Sequence, residues 1–106
     1  MTNFLLAYTG GSDMSEATPE QQQAVMAAWG AWFGSLGAGV VDGGNPFGAS
    51  TSIAPDGSTG GPSRAGLTGY SILAADSMES AAALAKGCPL LDAGGSIEVY
   101  EVVPAM

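Results

Sequence analysis

The chain contains no histidine, one cysteine and only two basic side chains, Arg64 and Lys86, among its 106 residues. Each shortage excludes a class of chemistry. Without imidazole there is no Ser-His or Cys-His pair, no histidine general base and no histidine metal site. Two cations against ten acidic residues leave a formal charge of −8. Nucleic-acid binding rests on clustered Lys and Arg, so no nucleic-acid partner is expected. The same deficit argues against anionic membranes. The apolar stretch Phe4-Leu5-Leu6-Ala7-Tyr8 is too short for a signal core or a membrane span. Cys88 has no intrachain partner, which fits a reducing, cytoplasmic setting.

What the chain does have is glycine, at 17 residues, and a hydrophobic fraction of 46%. At this length roughly 60–70% of the unfolded surface is buried on folding, so residues 1–106 are expected to form one domain. The glycines punctuate periodic segments rather than forming a tract.

Residues 3–9 are a short apolar run closed by Gly10-Gly11-Ser12, the pattern of a buried strand. Thr18-Pro19-Glu20-Gln21 is a capping box: an N-cap threonine, a proline at the first helical position, and a glutamine three residues after the cap. The helix is predicted over Pro19 to Leu36, with Gly37 as its stop. At 100° per residue, Val25, Trp29, Trp32, Phe33 and Leu36 share one broad face. Ala24, Ala27, Gly30, Ala31 and Gly34 lie roughly opposite. Two helical glycines cost about 1 kcal/mol each relative to alanine. They mark either cheap solvent positions or a face that touches another chain.

Val40-Val41-Asp42 reads as a second strand entering the loop Gly43-Gly44-Asn45-Pro46-Phe47-Gly48. Residues 49–54 read as extended, Pro55-Asp56-Gly57-Ser58 as a turn, and the small polar stretch to Arg64 as a mobile loop. Gly66 to Ala75 is a third strand, with Tyr70, Ile72 and Ala74 alternating against Ser71 and Leu73. A second helix starts at Asp76-Ser77-Met78-Glu79-Ser80 and stops at Gly87. Residues 95–103 are the last strand, with Ile97, Val99 and Val103 on one side and Glu98 and Tyr100 on the other. The order β-α-β, β-α-β predicts an α+β fold of ferredoxin-like βαββαβ type: an antiparallel sheet with two helices on one face. The other face would be bare, so a symmetric homodimer is expected.

Four segments carry a resemblance: Ala65-Gly66-Leu67-Thr68-Gly69-Tyr70, Asp76-Ser77-Met78-Glu79-Ser80-Ala81, Lys86-Gly87-Cys88-Pro89 and Gly94-Gly95-Ser96-Ile97-Glu98-Val99. Together they resemble the YCII-related proteins, in the branch often called DGPF-like, over nearly the whole chain. The resemblance implies a dimeric α+β barrel, with two sheets face to face and a cleft in each subunit. In that family a His near the first helix and an Asp before the proline after the second helix are the proposed catalytic pair. Here Gln21-Gln22-Gln23 and Ala85-Lys86-Gly87-Cys88-Pro89 stand at those places, so the pair is absent. Gly60-Gly61-Pro62-Ser63 lies where the DGPF segment would be. Asp42 to Phe47 has a similar look but comes earlier in the chain.

In the loop 42–48, Asp42 and Asn45 could hydrogen-bond a ligand at the cleft mouth with Phe47 as an apolar wall, or hold their own turn as Asx residues. The stripe Trp29, Trp32 and Phe33 is core by pattern, with room for one tryptophan to see the cleft beside Tyr8. The candidate ligand-binding residues are therefore Tyr8, Trp32, Asp42, Asn45, Phe47 and Tyr70. Cys88 is read as a small buried hydrophobe. No metal or cofactor motif is present: the carboxylates lack EF-hand spacing, and neither Gly10-Gly11 nor Gly60-Gly61 opens a phosphate loop. The leading expectation is a small binding or accessory module with an apolar cleft for a small apolar ligand. The alternative is an isomerase- or lyase-like enzyme acting on a small apolar or aromatic compound. Asp42 would be its general base, aided by Tyr8 or Tyr70 and working at a raised pKa inside an apolar pocket.

Overall fold

The computed structural model describes residues 1–11 and 17–105. Ser12, expected to help end the first strand, lies outside the described residues. Four strands are present: β1 (Thr2–Thr9), β2 (Val40–Asp42), β3 (Leu67–Ala75) and β4 (Ser96–Val102). They form one sheet in the order β2-β3-β1-β4, and every neighbouring pair is antiparallel. The α-helices among the described residues are α1 (Pro19–Leu36), α2 (Met78–Ala85) and α3 (Pro89–Asp92).

The capping box works as read. Gln21 N–H donates to the Thr18 side chain, and the Gln21 side chain accepts from the Thr18 N–H. Ser77 caps α2 by accepting from the Ser80 N–H. The third helix was not anticipated. Its stop and start signals were both present, with Pro89 at the first helical position and Gly94 at φ 85° just beyond the end. Four residues are too few for a helical period to show.

One face of the sheet carries the core. Leu6, Tyr8 and Leu73 cluster with Trp32 of α1, Ala85 of α2, Leu90 of α3 and Cys88. Phe4, Ala75 and Ala81 make a smaller adjoining cluster. All three helices therefore lie on the same side. Trp32 fastens α1 to the far end of α2: its indole N–H donates to the Leu84 carbonyl at 3.1 Å, and its ring lies against Gly87. The Ser71 side chain is the fully buried polar group of this core. Tyr8 donates its hydroxyl proton to Ser71 Oγ at 2.7 Å, and Ser71 donates onward to the Gly43 carbonyl at 2.8 Å.

Three expectations change. Val25 shares the apolar face of α1 but is exposed, because helix residues 19–28 reach past the packed part of the core. The stretch 49–64 forms no strand and is not a loose loop, though the turn at Pro55-Asp56-Gly57-Ser58 is present as read. Ile53 pairs with Thr59 in an isolated bridge, and backbone bonds from Ser52 to Gly61, Gly60 to Ser52 and Ala54 to Ser58 tie it into a hairpin. The last strand ends at Val102, which leaves Val103 exposed rather than on the packed side with Ile97 and Val99.

The loop after β2 folds back along the start of β3. Pro46 bridges Gly69, and Phe47 N–H donates to the Thr68 carbonyl. Gly44 sits at φ 76°, where a Cβ would collide with the Tyr70 carbonyl. Gly34, in contrast, has open space where a Cβ would go. Gly44→Ala is therefore expected to lower stability by more than about 2 kcal/mol, and Gly34→Ala to raise it by about 1 kcal/mol. Urea denaturation at fixed protein concentration checks both. A destabilised Gly34→Ala would mean that this helix face touches another chain. Tyr8→Phe should cost about 1 kcal/mol for one hydrogen bond, whereas Ser71→Ala leaves two buried groups unpartnered and should cost about 2–3 kcal/mol. Equal losses would show that the two bonds do not act in series.

Candidate functional site

A groove of about 1020 Å³ opens beside the core, between the overhanging part of α1 and the loops at one end of the sheet. Tyr8 and Trp29 make its aromatic floor, edge to face with ring centroids 5.5 Å apart. Phe33 extends the floor, 5.9 Å from Trp29. Val25 and Met26 line the α1 wall, and Pro89 and Leu90 of α3 stand on another side. Glycines at Gly10, Gly11, Gly43 and Gly44 bring the backbone to the rim.

Gly11 and Gly44, and Gly95 behind them, are positions of close approach. Gly11 at φ 101° leaves 2.8 Å between an added Cβ and Leu90. At Gly95 an added Cβ would lie 2.5 Å from the Leu90 side chain. The β1 end, α3 and the β4 start therefore meet without side chains between them, and Leu90 is pressed toward the groove.

Of the candidate ligand residues, Tyr8 and Asn45 line this groove; Tyr70 borders it too, but with its ring turned to the opposite sheet face. Trp32 does not: it is buried, and its one polar atom is used on Leu84. Its neighbour Trp29, 5.8 Å away ring to ring, holds the groove position instead. Helical periodicity puts both on one face, and only packing depth separates them.

Asp42 and Phe47 gather elsewhere, around the Tyr70 ring. Asp42 is the Cα partner of Ile72, and Ala7 is the partner of Tyr70, so these side chains point to the sheet face that carries no helix. The Tyr70 hydroxyl donates to Asp42 Oδ2 at 2.9 Å, Asp42 Oδ1 accepts from the Gly44 N–H at 2.8 Å, and Phe47 stacks on Tyr70 at 5.7 Å. Asp42 is exposed, outside the groove lining, and holds its own turn.

The Tyr8 phenol at the floor and the Cys88 thiol in the core behind it are both kept neutral. Burial drives the Tyr8 phenol far above its ordinary range, against a smaller opposing effect of the Ser71 hydroxyl. Burial also lifts the Cys88 thiol. Neither supplies an anion at neutral pH. The Asp42 carboxylate raises the pKa of Tyr70 by accepting a hydrogen bond from its hydroxyl and by its negative charge. Among the described residues no group of three or more His, Cys, Asp or Glu side chains could hold a metal ion. No described helix is long and apolar enough to cross a membrane.

No curated protein and no solved structure matches the chain. The model of the YCII-related domain matches it over residues 1–106, and the chain belongs to that family.

Proposed function

We propose that this YCII-related chain is a small binding or accessory module that works as a symmetric dimer and takes a small apolar ligand in the groove. The observation that carries the dimer is an excess of surface. A folded monomer of 10.4 kDa is expected to expose about 5,400 Å², whereas this chain exposes 7078 Å². Its radius of gyration is 15.3 Å, against about 13 Å for a compact domain of this length. The dimensions are 44 × 40 × 18 Å, a flat slab. The surplus of about 1,700 Å² per chain is in the range that stable homodimer interfaces bury.

The helix-free sheet face has the composition to be covered. Cross-strand pairing puts Leu5, Ile72 and Tyr100 in one row and Ala74 and Val102 in another. Tyr100 and Val102 are exposed. The antiparallel strand order β2-β3-β1-β4, with helices on one side, supports reading the chain as a ferredoxin-like unit. Two such sheets packed face to face would make the dimeric α+β barrel that the family resemblance implies.

A binder is favoured over a catalyst by what the groove contains. Its floor phenol, Tyr8, is neutral, and Asp42 is turned to the other face. Among the described residues Asp92 is the single carboxylate in the lining, with no paired acid or base among the lining side chains. The family's His and Asp are replaced, with Gln21 to Gln23 and Gly87-Cys88-Pro89 at the corresponding segments. A cytoplasmic location belongs to the same proposal, on the free buried Cys88.

Sedimentation velocity at micromolar concentration tests the dimer. The expected mass is twice the 10.4 kDa of one chain, and Ile72→Glu should give a folded monomer with an unchanged far-UV spectrum. A wild-type chain sedimenting at the mass of one copy would overturn the proposal.

A further inference from the structure

The groove has a charge preference as well as an apolar lining. Among the described residues, Asp92 is the one Asp, Glu, Lys or Arg that lines it. The chain's two cations, Arg64 and Lys86, are not in the lining. An anionic ligand would therefore meet no counter-charge there, and would approach a molecule of formal charge −8. The rings favour the opposite sign. Trp29 lies within 6 Å of both Tyr8 and Phe33, ring centroid to ring centroid, and such π clusters attract organic cations.

We propose that the natural occupant of the groove is an amphipathic organic cation: an amine or quaternary ammonium carrying an aromatic or branched apolar body. The apolar body lies over Tyr8, Trp29 and Leu90, and the ammonium sits toward Asp92. This inference rests on the binding reading above and names the ligand class for it. The volume of about 1020 Å³ is at the upper end of the roughly 300–1,000 Å³ typical of small-molecule sites. It accommodates a body larger than a single ring.

Three isosteric probes separate charge from shape: phenethylamine, 2-phenylethanol and phenylacetate, each titrated into the 15N-labelled full chain. The readout is the set of backbone amides of Gly10, Gly43 and Gly44 and the Trp29 indole N–H. Phenethylamine is expected to bind about three- to tenfold more tightly than the alcohol, and phenylacetate more weakly than both. Asp92→Asn should remove the advantage of the amine while leaving affinity for the alcohol unchanged. Asp92→Lys should reverse the order in favour of phenylacetate. Asp92 is exposed, and the amide spectrum of each variant reports directly that the fold is kept. Alcohol binding with no preference for the amine, or a preference that survives Asp92→Asn, overturns the ligand class alone. If none of the three probes shifts the groove amides, both the ligand class and the binding function fail.

Discussion

The buried relay from the Tyr8 phenol through the Ser71 hydroxyl to the Gly43 carbonyl is the constraint on which the rest of the structure depends. A polar group under a sheet must be paired or it costs several times what a pair returns. Ser71 meets that demand by accepting from β1 and donating to the loop beyond β2. One hydroxyl therefore registers three segments of chain. It pins the phenol against Trp29, which sets the groove floor. It also holds Gly43, and so sets Gly44 onto the Tyr70 carbonyl with no space for a side chain between them.

The two faces of the sheet divide the work. Helices cover one face and overhang it, and the overhang of α1 leaves the groove. The other face carries Leu5, Ile72 and Tyr100, with Tyr70 and Tyr100 each donating its hydroxyl proton to a carboxylate, Asp42 and Glu98. Those bonds keep the tyrosines' polar ends satisfied within one chain. A neutral floor under the groove follows from the same burial that builds the core. The floor phenol of Tyr8 and the core thiol of Cys88 are both pushed away from ionisation. That suits recognition better than proton transfer.

Much of the architecture was legible because its signals are local. Thr18-Pro19-Glu20-Gln21 announced α1, Ser77 announced α2, and alternation in residues 70–75 sorted β3 into two faces. The site was less legible because it depends on depth and on which way a paired strand faces. Trp29 and Trp32 share a helical face, yet one is spent on Leu84 and the other lines the groove. Asp42 looked like a cleft-mouth residue from its loop, but its pairing with Ile72 turns it to the opposite side. The turn at residues 55–58 was legible, but the return arm of the hairpin to Gly61 was hidden because its bonds are backbone bonds between small polar residues. No hydrophobic period marks them. Leu90 and Asp92, which shape and charge the groove, come from a helical turn too short to show a pattern. The pair Pro89 and Gly94 was the available signal for it.

The placement of the two tryptophans has an optical consequence. Trp32 is sealed in the core with its indole N–H bound to a carbonyl, while Trp29 meets the groove. Their rings are 5.8 Å apart at 80°, close enough for their transitions to couple and for excitation to pass between them. The chain thus carries an internal donor and acceptor whose relative geometry is set by α1. Quenching at the groove would be felt by the sealed indole as well, so the circular dichroism and emission of the pair register occupancy of the site and integrity of the core in a single spectrum.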